Sequence, residues 1–581
     1  MYDGSRRGNL IRPRRNRMKS PGCCAFLCVV IAVLPAVLLA STASAQQPGT
    51  PAVSSPGSSH PTSSALDACA ALAKLSLSHT KIDSAGVIAA GAFSLHIVGR
   101  TIPDPEGYKQ LPAFCRVAAT LIPSADSNIK IEVWLPVSGW NGKFRGQGNG
   151  GFAGDIDYDH LAWAVAQGYA TGGTDTGHTG GNTDASWALG HPEKIADFGN
   201  RAVHEMTLAS KAITAAYYQS SPQRSYFASC SDGGREALME AQRFPSDYDG
   251  ILAGAPANNW SRLLTNAAHN AQTFALDPAA FIPPAKLPGI AAAVADACDA
   301  SDGVKDGILN DPRQCRFDPS VILCKQGDSD SCLTAPQVAA MKSLYAGAHD
   351  ASGKLVFPGY LPGSEVGPNG WASWITGIAP GQSLMTAFGS SYFSQMVYAD
   401  PKWDLKSFNV DRGLKDAQQK TAQALDSTDP NLKPFLSRGG KLILYHGWND
   451  PAISALNTID YYQSAIAATG RSQIESSVRL YMAPGVQHCF LGSGADTFGQ
   501  YGWQPDGSPS DPQHSLYSAL EQWVEKGSSP EKIIATKYAG EGASRHQTMT
   551  RPLCPYPQLP HYKGSGDPND ESSFTCAVPA K

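Results

Sequence analysis

Ser229-Cys230-Ser231-Asp232-Gly233-Gly234 closes a short apolar run at residues 226–229 and opens a helical stretch over about 233–243. A serine at a sharp strand-to-helix turn needs small residues two before and two after it, because the turn crowds both positions. Ser229 stands where glycine is usual, and Gly233 supplies the second small residue. Backbone N–H groups at a helix start lack intrahelical acceptors, so negative charge developing beside Ser231 would be stabilised there. The segment reads as a nucleophile elbow; the competing reading is an ordinary structural turn.

Outward from this turn, apolar segments alternate with amphipathic ones. Upstream lie residues 129–135, 144–148, 161–166 with 168–172, and a helical stretch over 195–218; downstream lies 250–254. The pattern resumes with a strand at 442–445, a helix near 459–468, a strand at 478–482, a helix near 515–525 and a strand at 532–536. This alternation predicts an α/β fold. Residues 260–430 break it with four cysteines, turn-rich acidic loops and scattered aromatics. They are expected to form a lid over the carboxyl ends of the sheet, where ligands bind in open α/β folds.

Two segments of the second half follow strands and carry ionisable groups. Leu444-Tyr445-His446-Gly447-Trp448-Asn449-Asp450 supplies an acid, Asp450, and Pro484-Gly485-Val486-Gln487-His488-Cys489 supplies a base, His488. Serine, acid and histidine in this order, each at a strand end, are the arrangement of an α/β-hydrolase. Residues 65–259 and 431–581 are therefore expected to form an α/β-hydrolase core, with 260–430 as its large inserted lid. Asp450 would fix the imidazole tautomer, while His488 would take the Ser231 proton and return it to the leaving alcohol. His446 is a competing base, read more simply as a packing or loop hydrogen-bonding group. Cys230 precedes the serine and Cys489 follows the histidine, so a bond between them would clamp two loops far apart in sequence. Gly146-Gln147-Gly148-Asn149-Gly150-Gly151 ends an early strand. One oxyanion N–H is assigned there, to Gly150 or Gly151, and a second to Asp232; a tight turn alone would also explain the glycines.

The N-terminus runs from a basic stretch at 12–19 through an apolar one at 25–40 to Ala43-Ser44-Ala45. That is the order of a secretory signal cleaved after Ala45, with Met18 as an alternative start and an uncleaved anchor as the competing reading. Residues 46–64, rich in Ser, Pro, Thr and Gln, read as a disordered leader. No later window has the length of a membrane span, so no stable membrane association is expected after cleavage. Residues 1–45 hold three of the thirteen cysteines. The remaining ten, an even number in an exported chain, predict five disulfides and a secreted or periplasmic location. Residues 1–45 also hold seven of the 46 basic and one of the 50 acidic residues, so the rest carries about −10. Such a charge does not suggest nucleic acid or an anionic membrane as a partner, and none is expected.

With those residues located, the sequence resembles the tannase and feruloyl esterase family, which includes bacterial mono(2-hydroxyethyl) terephthalate hydrolase. The resemblance runs through most of the mature chain. It is carried by Gly148-Asn149-Gly150-Gly151-Phe152-Ala153-Gly154, Thr174-Asp175-Thr176-Gly177-His178, Asp197-Phe198-Gly199-Asn200-Arg201-Ala202-Val203-His204 and Cys230-Ser231-Asp232-Gly233-Gly234-Arg235-Glu236. The Asp450 loop, His488-Cys489 and Arg551-Pro552-Leu553-Cys554-Pro555-Tyr556-Pro557 complete the set. The resemblance implies Ser231, Asp450 and His488 as a triad, Cys230 bridged to Cys489, and hydrolysis of esters of aromatic acids. It further implies the pairs Cys298–Cys315, Cys324–Cys332 and Cys554–Cys576, with Cys69–Cys115 completing the set. His178 and His204 are read as structural.

Asp299-Ala300-Ser301-Asp302-Gly303-Val304-Lys305-Asp306-Gly307-Ile308 concentrates acidic side chains in the lid. Carboxylates of Asp299, Asp302 and Asp306 with backbone oxygens of Val304 and Ile308 suit a hard cation such as Ca²⁺. The loop departs from the EF-hand pattern in having Ser301 at its third position and no Glu at its twelfth. An acidic surface turn is the alternative, and the resemblance favours a structural calcium ion remote from the ester. No organic cofactor is expected. An aromatic acyl group needs a flat apolar slot with directional polar contacts; Trp448, Trp374, Phe388 and Phe393 are the candidate walls, with Trp371 and Tyr392 behind them. The expected partner is a small aromatic ester, feruloyl in preference to galloyl or terephthalate. A different class, a secreted binding protein with a hydrolase-like shell, would be unaffected by Ser231→Ala.

Overall fold

Nine strands form the central sheet: β1 (Thr80–Ile88), β2 (Phe114–Leu121), β3 (Ile129–Pro136), β4 (Lys143–Gln147), β5 (Ala170–Thr174), β6 (Arg224–Cys230), β7 (Gly250–Gly254), β8 (Lys441–Gly447) and β9 (Val478–Ala483). This computed structural model describes residues 63–95, 105–500 and 508–579. The expected signal at 1–45 lies outside the described residues, as does the leader up to residue 62; a helix begins at Ser63.

The spatial order is β1-β2-β3-β5-β4-β6-β7-β8-β9. Pairs from β4 to β9 are parallel, and β1, β2 and β3 add an antiparallel edge that joins β5. Every residue of β7, and all but the first of β6 and β8, is buried, as expected for parallel strands covered on both faces. The sheet therefore presents the ends of β6, β8 and β9 together along one edge. Ser231, the Asp450 loop and the His488 loop follow those three ends directly.

One sequence expectation needs adjustment and two gain detail. Residues 161–166 belong to a helix, Tyr158–Ala166, whose Asp157 side chain accepts from the His160 N–H at its start. The strand expected at 532–536 is Ile533–Ala539, but it pairs antiparallel with His546–Leu553 outside the central sheet. The helical stretch at 195–218 is continuous, with a π segment at Asp197–Arg201 leading into α1 (Ala202–Tyr218).

Helices Trp260–Ala271, Leu287–Cys298, Ala335–Ala346, Leu384–Ser391 and Val410–Lys420 fill the inserted region. One apolar cluster lies wholly within it, around Ile290, Met341, Leu344 and Trp371. A second joins Trp260, Leu263 and Phe393 of the insert to Phe152, Phe198 and Ile453 of the core loops. Burying this shared face at roughly 25 cal/mol per Å² ties the insert to the loops that carry polar groups. Phe393, Tyr392 and Trp371 are fully buried in these clusters, so they pack the insert and offer no surface to a ligand.

Five disulfides are formed: Cys69–Cys115, Cys230–Cys489, Cys298–Cys315, Cys324–Cys332 and Cys554–Cys576. Cys230–Cys489 bridges positions 259 apart in sequence. Closing so long a loop removes about 5 kcal/mol of unfolded-chain entropy on a chain-entropy account.

Candidate active site

Ser231 sits at the turn between β6 and α2 (Asp232–Arg243), with φ 65° and ψ −122°. A non-glycine residue held there costs on the order of 1–3 kcal/mol and persists only where its surroundings enforce it. Here the Ser231 N–H donates to the Gly254 carbonyl at 3.0 Å, and its carbonyl accepts from Arg235 and Ala257. The crowding read from sequence is real: a Cβ on Gly233 would lie 1.9 Å from the Ser229 hydroxyl oxygen.

The three side chains singled out in sequence meet in one line. His488 Nε2 lies 2.8 Å from Ser231 Oγ, and His488 Nδ1 lies 2.7 Å from Asp450 Oδ2. The network assigns Nδ1–H as donor to the carboxylate, leaving Nε2 to accept the serine proton. Asp450 Oδ1 accepts the N–H groups of Ala452 and Ile453 at 2.8 and 2.9 Å. Burial alone would raise the Asp450 pKa, but His488, His446 and their hydrogen bonds outweigh it and hold the group well below the usual carboxylate range.

His446 is more than a packing group. Its Nε2 lies 3.0 Å from the Ile453 carbonyl and 3.1 Å from Asp450 Oδ2, while Nδ1 lies 2.7 Å from Thr458 Oγ1. Nε2–H thus donates toward Asp450, Nδ1 accepts from the threonine hydroxyl, and the ring is spent on orienting the acid. Among the described residues, His488 is the imidazole that hydrogen-bonds Ser231 Oγ.

The glycine loop after β4 is pinned through Asn149. Its N–H donates to Glu236 Oε2 at 2.9 Å, its carbonyl accepts from the Gly233 N–H at 2.9 Å, and its amide nitrogen donates to the Thr174 and Asp155 carbonyls. The next two N–H groups, of Gly150 and Gly151, make no hydrogen bond within the described residues, and neither does that of Asp232. Gly151 has φ 59°, and a Cβ there would lie 2.3 Å from the Asn182 carbonyl oxygen; Gly150 has open space. Glycine is thus required at 151 and merely present at 150. Burial and the neighbouring Asp232 push the Glu236 pKa up to about 8, against Arg235 and the Asn149 N–H. Glu236 and Asn182 escape sequence reading because nothing in their spacing marks them as supports of this loop. The Asp232 carboxylate turns inward to Arg235 Nε at 2.5 Å, and the Arg235 guanidinium lies against both the Phe198 and Trp260 rings.

The lid reaches the histidine directly. Asn369 Nδ2 donates to the His488 carbonyl and its Oδ1 accepts from Trp374 Nε1, both at 2.9 Å. The Trp374 ring stands edge-on to the His488 imidazole at 5.0 Å, and Phe388 lies parallel to Trp374 at 6.1 Å. Both rings are half-buried. Trp448, by contrast, is 1% exposed within the core with the Arg313 guanidinium over its ring, which removes it from any slot.

In the lid loop, Asp299 Oδ1 accepts the N–H groups of Asp306 and Gly307, and Asp302 accepts those of Val304 and Asn310. Asp306 accepts the Ile308 N–H and pairs with buried Arg551 at 2.5 Å. Burial first, then the carboxylates of Asp306 and Asp299, raise the Asp302 pKa to about 6. An all-oxygen set under mutual repulsion fits a hard cation.

The family described as tannase and feruloyl esterase matches residues 115–577. An uncharacterized esterase of Xanthomonas campestris is 40% identical over 546 residues, covering 89% of this chain and 92% of its own. A probable feruloyl esterase B-2 of Aspergillus terreus is 34% identical, covering 80% of this chain and 86% of its own. Among solved structures, feruloyl esterase B from Aspergillus oryzae superposes with a TM-score of 0.79 at 29% identity, over 88% of this chain and all of that one. Tannin acyl hydrolase from Aspergillus niger superposes at 0.67 and 24% identity, over 89% and 95%, and speaks for the fold. The chain belongs to the tannase and feruloyl esterase family and is a carboxylic ester hydrolase with an α/β-hydrolase fold.

Proposed function

We propose that the protein is a secreted serine esterase that cleaves esters of aromatic, phenolic acids through an acyl-enzyme. The observation that carries this reading is the unbroken line from Ser231 Oγ through His488 to Asp450, at 2.8 and 2.7 Å, with its first two loops joined by Cys230–Cys489.

Ser231 Oγ attacks the ester carbonyl carbon as His488 Nε2 takes its proton. The carbonyl oxygen becomes an oxyanion, met by the N–H of Asp232 and that of Gly150 or Gly151. On collapse, His488 returns the proton to the leaving alcohol oxygen, and the acyl group stays on Ser231. Water, deprotonated by the same imidazole, then releases the acid. Asp450 keeps Nδ1 protonated and stabilises the imidazolium between the two transfers.

The aromatic preference rests on Trp374 beside His488, with Phe388 parallel to it, and on relatives that bear the name feruloyl esterase B. Export rests on the N-terminal pattern ending at Ala45 and on five disulfides. In the lid, Asp299, Asp302 and Asp306 with the Val304 and Ile308 carbonyls would hold Ca²⁺, which braces the loop and takes no part in the ester chemistry.

Steady-state hydrolysis of methyl ferulate, methyl gallate, a terephthalate monoester and a long-chain acyl ester is the test, with Ser231→Ala as control. The phenolic esters are expected to lead, and equal rates on the long-chain ester refute the acyl assignment. A fluorophosphonate should label Ser231; stable adduct elsewhere with Ser231 untouched refutes the nucleophile.

A further inference from the structure

Glu240, on the third turn of α2, is 1% exposed, and its Oε2 accepts from no donor among the described residues; burial and the adjoining Asp247 carboxylate hold its carboxyl well above the usual range. Such an atom in a folded interior calls for a ligand or a cost of about 1–3 kcal/mol. It faces two other donors. Asp247, in the turn before β7, is 3% exposed, and its Oδ2 lies 2.6 Å from Nδ1 of His204 on α1. One ligand atom from each of His204, Glu240 and Asp247 lies within 4.8 Å of the others, the sole such trio of His, Cys, Asp or Glu among the described residues.

We propose that His204, Glu240 and Asp247 bind a divalent transition metal of the zinc class, separate from the ester-cleaving centre and from the lid loop. An imidazole nitrogen with two carboxylates is a zinc-type donor set, whereas the lid loop offers oxygen alone. Metal–ligand bonds of about 2.0–2.2 Å place tetrahedral donors roughly 3.4 Å apart, so His204 and Asp247 need to separate by under about 1 Å. The His204 ring is stacked on Phe244 at 3.8 Å, which holds its plane. Its side chain is 23% exposed, leaving an approach for the ion and a fourth, water ligand. The neighbouring cation, Lys211, reaches the Asp247 backbone carbonyl rather than its carboxylate. Glu240 lies nine residues beyond Ser231 along the helix, about 13 Å of rise. The ion would therefore pin α1, α2 and the turn into β7 together, and touch no reacting atom.

Tag-free mature protein, stripped with a chelator and held in excess Ca²⁺, is titrated with Zn²⁺ calorimetrically, with melting temperature measured alongside. One equivalent is expected, together with a zinc-dependent rise in melting temperature. Co²⁺ in its place should give the visible bands of a low-symmetry site. His204→Asn should melt with the chelated wild type, bind Zn²⁺ at least about tenfold more weakly and lose the zinc-dependent rise. The proposal is overturned if the wild type takes up no zinc, or if His204→Asn binds it as tightly, as it would were the exposed pairs His191–Asp126 or His514–Asp511 the sites. Neither result bears on Ser231, whose activity is assayed separately.

Discussion

The Asp450 loop and the lid loop at 299–308 both gather donors around aspartates beside a disulfide, the first fully buried and the second in a half-exposed turn. Asp450 joins one distant partner, an imidazole 38 residues away, to three near ones: a second imidazole on the preceding strand and two N–H groups just ahead. In the lid loop most acceptors are met within eight residues by the loop's own N–H groups. Non-local partners in a buried setting strengthen each interaction and aim it. Local partners in a half-exposed turn stiffen the chain.

The largest effect is expected from Asp450→Asn, which keeps shape but reverses the tautomer preference: kcat on methyl ferulate should drop about 10⁴-fold. A drop below tenfold would erase the distinction between the two loops. Next comes replacement of Cys230 and Cys489 by serine, expected to cost about 2–5 kcal/mol in urea unfolding and around a hundredfold in rate, since a 1 Å misplacement suffices. The lid pair Cys324–Cys332, spanning eight positions, should cost about half that stability and leave the rate within a few-fold.

His178 sharpens the comparison from the core side. It is 4% exposed, stacked on Trp187, with Nε2–H donating to the Phe152 carbonyl at 2.7 Å; burial lowers its pKa to about 4. Between pH 6.5 and 4 the unfolded chain takes up a proton that the folded one refuses, so stability is lost as pH falls through this window and stays constant below it. The loss approaches about 3 kcal/mol. Asp175 nearby, raised to about 7 by burial, contributes with the opposite sign, favouring the fold as pH falls from 7. The difference between wild type and His178→Gln isolates the histidine; equal slopes for the two would refute this account. The smallest effect is expected in the lid: Asp302→Asn should lower stability by about 1 kcal/mol, abolish any Ca²⁺-dependent rise in melting temperature and change kcat less than threefold.

Much of this was legible before folding. Ser231, Asp450 and His488 each follow a short apolar strand, a signal that survives without knowing what the strand pairs with. The aromatics of the insert gave no such signal: Trp374 meets the imidazole with Phe388 parallel to it, while Phe393 and Trp371 vanish into packed clusters, and their spacing does not separate them. Gly150 and Gly151 look alike until Asn182 crowds one of them.

What the chain order alone marked was the ester-hydrolase class and the three residues that meet in one hydrogen-bonded line, because a strand-to-helix turn and strand-end loops are written in neighbouring residues. What needed the tertiary structure was every relation across distance: Glu236 behind the oxyanion loop, His446 on the acid, Asn369 on the histidine, and the His204 trio. Side-chain direction and burial arise only when separate elements pack, and no local pattern encodes which faces will meet.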